Sequence, residues 1–145
     1  MINITELCSM FSQSLPYSSV SKKTSDGGVI STSLTIGDQT VFMKFDVSSI
    51  SALVTLYISQ TSWDDVYVNN FIEKFNSQMK AKTGFTASIR NTPDYDEPVL
   101  VLDATITGYS NEYDLGPKIA ARLAQIAKAD ANNFLYQIMV HLRNR

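Results

Sequence analysis

Apolar and polar residues recur along the chain with two periods, and these periods predict its secondary structure. Segments in which apolar residues recur every three or four positions are typical of amphipathic helices, and strict alternation is typical of half-buried strands. Three segments have the helical period: one at the N-terminus, one after Ser62 and one after Pro117. Five segments alternate in the manner of strands. The predicted order is therefore helix, three strands, helix, two strands, helix.

The first two predicted helices carry start and stop signals. Asn3, followed three residues later by a glutamate, is typical of a capping box, and Pro16 ends the first helix. The second helix is expected to start with a similar signal at Ser62 and to end near Lys82, because Gly84 is a typical stop. Its apolar stripe consists of Val68, Phe71, Ile72, Phe75 and Met79.

The predicted strands are short, and the first three follow one another through turns. They cover residues 29–36, 41–47, 52–59, a segment that begins at Phe85, and 99–107. The third strand is apolar on both faces, which predicts cover on both sides, and the polar stretch 17–26 is predicted to be a loop. The pattern indicates a single α+β domain over residues 1–145, ordered α-β-β-β-α-β-β-α. Its mostly antiparallel five-stranded sheet would have helices on one face or at its ends.

The final predicted helix follows an acidic loop and carries a clear apolar stripe. Residues 108–116 form an acidic, tyrosine-rich stretch that is predicted to be a loop, and Pro117 fits the first turn of the helix that follows. The stripe then continues to about His141. Asn132 and Asn133 lie within it, and their low helix propensity leaves open whether they bend or break this helix.

Composition limits the class of protein. The chain has 145 residues, of which 44% are hydrophobic and 18% charged, as is ordinary for a globular domain. No apolar run approaches the roughly 18 residues of a membrane span. The N-terminus has no basic segment before an apolar one, so we expect a cytoplasmic protein without a signal peptide. The single cysteine, Cys8, excludes an internal disulfide and favours a reducing compartment.

The sequence contains no pattern that predicts catalysis. It lacks a phosphate-binding loop and a nucleophile elbow. Its one imidazole, His141, is placed where a helix end favours positive charge, and Cys8 lies on the apolar face of the first helix, so both are interpreted as structural. We predict a protein that is not an enzyme and has no catalytic residue, cofactor or metal site. A net charge of −2 argues against nucleic acid or membrane as a partner.

Acids and tyrosines are concentrated in two stretches of the second half of the chain. Between Arg90 and Lys118 there are six acids and no base. Tyrosine provides contact area at a low entropic cost and acids steer a basic partner, so these stretches resemble a protein-contact patch. Ordinary loop tyrosines packed over the rim of the sheet are an equally good interpretation. The predicted partner-binding residues are Asp94, Tyr95, Asp96, Glu97, Tyr109, Glu112, Tyr113 and Asp114.

The element order, the length and three segments resemble the YbjN family within the type III secretion chaperone-like fold. The segments are FIEKFNSQMKAKTGFTASI, which starts at Phe71, DEPVLVLDATITG, which starts at Asp96, and NNFLYQIM, which starts at Asn132. They cover the second half of the chain, and the first half is similar only in element order. The resemblance implies a non-enzymatic protein that often dimerises and holds another polypeptide in an extended form over the sheet and the first helix.

Three functions are compatible with these observations. The first is a chaperone-like or adaptor-like protein-binding module, expected to be a homodimer, that holds or masks another protein. The second is a small acidic inhibitor or antagonist, of the antidefence or immunity type, that occupies a basic surface on its target. Removal of charge at Asp94, Asp96 and Glu97 would then abolish binding and leave the fold intact. The third is an enzyme, or a binder of a ligand or a metal such as calcium, that uses the acidic loops.

Overall fold

The computed structural model describes residues 1–144 and contains one antiparallel sheet with helices on one side. The strands are β1 (Ser19–Lys23), β2 (Gly28–Ile36), β3 (Gln39–Val47), β4 (Ala52–Gln60), β5 (Thr86–Arg90) and β6 (Val99–Ile106). The helices are α1 (Ile4–Ser9), α2 (Val66–Gln78), α3 (Lys80–Thr83), α4 (Glu112–Ile126) and α5 (Ala129–Arg143). The predicted α+β class and the general order of elements are confirmed. Two predicted helix limits were wrong: α1 ends at Ser9, before Pro16, and α2 is capped by Asp65 instead of Ser62, because the Asp65 carboxylate accepts from the Val68 N–H.

The strands follow the order β1-β2-β3-β4-β6-β5 across the sheet, and every neighbouring pair is antiparallel. The first four form a meander, and the β5–β6 hairpin joins it because β6 pairs with β4. Gly37 makes the turn between β2 and β3 at a φ of 62°, which glycine adopts without steric cost. This arrangement leaves β1 and β5 as the two edges of the sheet.

The stretch 17–26 contains β1, so its prediction as a loop was wrong and the sheet has six strands instead of five. Four of the five side chains of β1 are exposed, so this strand has no buried face and no apolar alternation. Its backbone pairs with β2, and the Ser31 hydroxyl donates a hydrogen bond to the Ser21 hydroxyl at 2.9 Å. Pairing with β2, the next segment of the chain, makes this stretch a strand although its own side chains have no apolar alternation.

The predicted final helix is two helices, and its predicted start was wrong. α4 begins at Glu112, before Pro117, because the side chain of Asn111 caps the first turn by accepting a backbone hydrogen bond. The backbone is extended at Lys128, where α4 and α5 separate. The break therefore precedes Asn132, and the asparagine pair lies inside α5.

The core lies between the helices and the sheet face that they cover. Strand residues that point to this face include Ile30, Met43, Phe45, Val54, Leu56 and Leu102, all of them fully buried. The rings of Phe11 and Phe45 are 5.4 Å apart, which holds the segment after α1 against β3. The buried helix residues all join this single cluster, and within residues 1–144 no helix packs on the opposite face of the sheet.

Asp26 connects three parts of the chain at one end of the sheet. Its carboxylate accepts hydrogen bonds from the backbone N–H of Ile2 at 3.0 Å and of Ser49 at 2.9 Å. These bonds, led by one from the Ser49 hydroxyl, lower the pKa of Asp26 from 3.8 to about 2. The folded pKa lies below the unfolded one, so the contribution to stability is complete above about pH 4 and is lost as the pH falls toward about 2.

We expect Asp26→Asn to lower stability at neutral pH and to reduce the further loss of stability between about pH 4 and pH 2. The measurement is the urea midpoint of unfolding at neutral pH and at both ends of that window. Asp96→Asn changes an exposed acid in the β5–β6 loop and is the control, with little expected effect. An acid sensitivity equal to that of the unsubstituted protein would contradict the prediction for Asp26.

Candidate functional site

The sheet face without helices carries a row of aromatic side chains. We call this surface the helix-free face; it is formed by the strand residues that alternate with the core positions, among them Phe42, Lys44, Thr55 and Tyr57. The Phe42 and Tyr57 rings lie 5.5 Å apart across the β3–β4 pair. This cross-strand packing follows from their register, because the two residues are direct partners in the antiparallel ladder.

The connection between β5 and β6, residues 91–98, folds over the helix-free face, and we call it the strap. Its Asp94 carboxylate lies 2.6 Å from the Lys44 Nζ, and the ring of its Tyr95 lies 5.8 Å from the ring of Tyr57. Thr55 is only 3% exposed although it points away from the helices, and it lines a pocket beside the strap. The strap thus covers part of a sheet face that would otherwise be open.

Two pockets flank the Tyr57–Tyr95 ring pair. The strap pocket has a volume of about 320 Å³, and its polar wall includes Lys44, Asp46, Thr55, Arg90, Thr92 and Asp94. The second pocket, of about 400 Å³, lies toward Phe42 and the start of β6. Both volumes fall within the range of sites that bind small molecules or single side chains. The aromatic pair forms a ridge between them.

Ion pairs and burial set the electrostatics of this surface. The hydrogen bond from Lys44 to Asp94 raises the pKa of the Lys44 ammonium group, so it stays charged at neutral pH. Burial raises the pKa of both Tyr57 and Tyr95, which keeps their hydroxyl groups protonated. Arg90 Nη2 pairs with Asp103 Oδ2 at 3.0 Å. The face therefore combines apolar rings with fixed charges of both signs.

The predicted partner-binding residues do not form one patch. Asp94, Tyr95, Asp96 and Glu97 lie on the strap before β6, and the other four predicted residues follow β6. A strand of this length separates its ends by roughly 25 Å, so the two groups lie at opposite ends of β6. Within the first group, Asp94 and Tyr95 contact the helix-free face, and the side chains of Asp96 and Glu97 are exposed.

The second group has structural roles that the sequence did not reveal. Tyr109, predicted on an exposed loop, is buried, and its hydroxyl donates a hydrogen bond to the Ser48 carbonyl. Burial raises the pKa of Tyr109. Glu112 and Asp114 belong to the first turn of α4, where acids favour the helix dipole. Tyr113 is 60% exposed, and partner binding by this group stays a prediction.

His141 and Cys8 are not brought beside each other or beside the strap. His141 stacks on Tyr67 at 4.1 Å, and its Nε2 lies 3.4 Å from Asp65 Oδ2. Burial raises the pKa of the Cys8 thiol, which disfavours the reactive thiolate. Among residues 1–144, no three His, Cys, Asp or Glu side chains are grouped in a way that could hold a metal ion. No helix in this range has the length and apolar character to cross a membrane.

Sequence reasoning missed Lys44, Tyr57 and Arg90, which form the centre of the candidate site. In the sequence, Lys44 is an ordinary polar position on an alternating strand. The useful signal was the strand 52–59, which is apolar on both faces and was predicted to have cover on both sides. The strap provides part of that second cover, but a loop's position over a distant strand cannot be read from a local pattern.

The fold defines the class of protein: a two-layer α+β domain with its helices on one face of an antiparallel sheet. No protein-family model matches the chain, and no curated protein is detectably similar to it in sequence. Among solved structures, the crystal structure of YbjN from E. coli, a candidate transcription regulator, has a similar fold. The TM-score is 0.58 over 97% of this chain and 93% of that chain, at 12% sequence identity. The predicted YbjN-like fold is confirmed, and at this identity the likeness concerns the fold alone.

Proposed function

We propose that this chain is a non-catalytic protein-binding module that holds or masks another protein on its helix-free face. The observation that carries this proposal is the row of Phe42, Tyr57 and Tyr95 rings between two pockets, on a sheet face that no helix covers. Aromatic rings at the centre of a surface, next to pockets, are typical of the residues that dominate protein–protein binding. Fixed charges around them would determine the orientation of the partner.

An extended partner segment fits this surface better than a globular one. The two pockets lie on opposite sides of the Tyr57–Tyr95 ridge, so one segment that crosses the ridge could place a side chain in each. Successive side chains of an extended chain point in alternate directions, and alternate ones would therefore face the sheet. Such binding would be chaperone-like or adaptor-like.

The antagonist function is a second proposal, and the strap acids favour it. Asp96 and Glu97 are exposed on the strap, and Glu97 borders a cleft with Trp63, which is 55% exposed. An exposed tryptophan beside acids would suit a basic surface on a target. The homodimer and the cytoplasmic location also remain proposals. YbjN itself is described as a candidate regulator, and a regulatory role for this chain would equally depend on a partner.

Site-specific crosslinking in cells tests the proposed binding face. We expect the photoreactive amino acid p-benzoylphenylalanine at position 42 or 95 to give the same discrete crosslinked product, because both rings border one surface. Tyr17 is 80% exposed and lies away from this face, so the same substitution there is the control. Position 113 tests the second acidic group. A product from position 17 or 113 alone, or none from 42 and 95, would show that the helix-free face is not the binding surface.

A further inference from the structure

Two residues that line the strap pocket each carry a buried polar atom that has no hydrogen-bond partner within residues 1–144. Arg90 Nε and Thr92 Oγ1 are both inaccessible, and neither has a hydrogen-bond partner within residues 1–144. Buried polar groups nearly always have partners, so each such exception calls for an explanation. The guanidinium Nε–H can only donate, and the Thr92 hydroxyl can donate as well. Both line the strap pocket together with Lys44, a third donor.

The structure also shows which chemical group Lys44 binds. Asp94 reaches Lys44 from the strap, and its carboxylate forms the 2.6 Å ion pair although 43% of the Asp94 side chain is exposed. The Lys44 side chain is 26% exposed, so the pair is in contact with solvent on both sides, and surface pairs contribute on the order of 1 kcal/mol to stability. The Asp94 carboxylate can therefore leave Lys44 for solvent at little cost. Asp94 therefore pairs with Lys44 as an internal carboxylate, and a carboxylate of another molecule could take its place.

We propose that the strap pocket binds a carboxylate side chain of the partner protein, and that Asp94 competes with it for Lys44. The proposal rests on the proposed function and names the chemistry that this face recognises. A carboxylate only accepts hydrogen bonds and has two oxygens, so it can pair with Lys44, and with the donors of Arg90 and Thr92 once departure of Asp94 and the strap uncovers them.

The charges around the pocket permit this exchange. The lining contains Lys44 and Arg90 against Asp46 and Asp94, and Arg90 also pairs with Asp103. When a partner carboxylate replaces Asp94 on Lys44, the number of negative charges beside the ammonium group does not change. The incoming group can also pair with Arg90 Nε and Thr92 Oγ1 when displacement of Asp94 moves the strap and uncovers these atoms, which have no hydrogen-bond partner within residues 1–144. The pocket volume of about 320 Å³ exceeds that of a single carboxylate, so a glutamate side chain and adjoining backbone can enter.

The test is an NMR titration of the full chain with N-acetylglutamate amide, and N-acetylglutamine amide serves as the uncharged probe. We expect saturable shifts for the glutamate probe around Lys44, Thr55 and the strap, and much weaker ones for the glutamine probe. Lys44→Gln and Thr92→Val should each weaken binding about tenfold, because each removes a donor to a charged group. Asp94→Asn should instead strengthen binding about threefold or more, because it removes the internal competitor. Asp96→Asn is the matched control on the strap.

The opposite effects expected for Lys44→Gln and Asp94→Asn distinguish recognition from a structural role, since loss of a structural ion pair would act in the same direction in both variants. Equal binding of the two probes, unchanged or weaker binding in Asp94→Asn, shifts elsewhere, or no binding would each overturn the proposal. If these results occur while positions 42 and 95 still crosslink a protein, only the carboxylate inference fails. If the glutamate probe binds as expected but neither position crosslinks, the pocket takes carboxylates and the protein-binding function fails.

Discussion

Replacement of Asn76 by alanine is expected to lower the free energy of unfolding by about 2–4 kcal/mol. Asn76 lies on α2, and its side-chain amide forms two hydrogen bonds with the backbone of Ala87 in β5. Its Oδ1 accepts from the Ala87 N–H at 2.8 Å, and its Nδ2 donates to the Ala87 carbonyl at 2.9 Å. The variant would leave both backbone groups without these bonds at the outer edge of the sheet. The measurement is urea unfolding followed by circular dichroism.

Asn70→Ala is the matched control for this prediction. Asn70 is exposed on the same helix, so the gain in helix propensity from asparagine to alanine is shared by both variants and cancels in the comparison. Asn76→Asp should fall between them, because it retains the acceptor for the Ala87 N–H and loses the donor. Equal stabilities of the two alanine variants would show that the Asn76 amide does not hold β5.

Phe45→Ala should cost about 3–5 kcal/mol, the largest effect that we predict for a single side chain. Phe45 is fully buried on β3, a central strand, and its ring contacts Phe11. The truncation would leave a cavity between the sheet and the N-terminal segment. Alanine cannot fill this cavity, and the surrounding strands are held by pairing on both sides. The same urea measurement gives the loss of stability.

Phe42→Ala is the control on the opposite face of the same strand. Phe42 is only partly buried on the helix-free face, so its loss should cost about 1 kcal/mol. This variant should weaken partner binding, since Phe42 begins the aromatic row, whereas Phe45→Ala should act through folding. Similar losses of stability in the two variants would contradict the assignment of the core to a single face.

The Asn76 contact also bears on where a partner can bind. Because α2 and the Asn76 amide occupy the outer side of β5, an added strand would find no free backbone groups at Ala87. The other edge, β1, is short, has a register shift between Val20 and Lys22, and carries exposed lysines, features that discourage strand addition. With both edges protected, the helix-free face is the larger surface that remains for an extended segment.

Local signals in the sequence correctly predicted two helix ends and the buried side of three strands. The Asn3 side chain caps α1 by accepting from the Glu6 N–H at 3.0 Å, and Gly84 adopts the left-handed conformation that ends the second helical region. The alternation of β2, β3 and β4 predicted which of their side chains are buried. These features depend on residues only a few positions apart, so the amino-acid order is enough to specify them.

The candidate site was predicted only in part, because it depends on distant contacts. Asp94 and Tyr95 were singled out for their residue types, and the structure places both on the helix-free face. Their partners Lys44 and Tyr57 come from strands earlier in the chain. Tyr109 shared the sequence features of Tyr95, yet its hydroxyl bonds the Ser48 carbonyl and its ring is buried. Residue type alone could not separate these two tyrosines.

The sequence by itself determined the α+β class, the N-cap of α1, the stop at Gly84 and the buried face of each central strand, since periodicity and capping act over one or two turns. Tertiary structure decided that β1 is a strand and that the strap covers the helix-free face. The first depends on backbone pairing with β2, and the second depends on packing between segments far apart in the chain. Such contacts are selected by the free energy of the whole fold, which no local pattern contains.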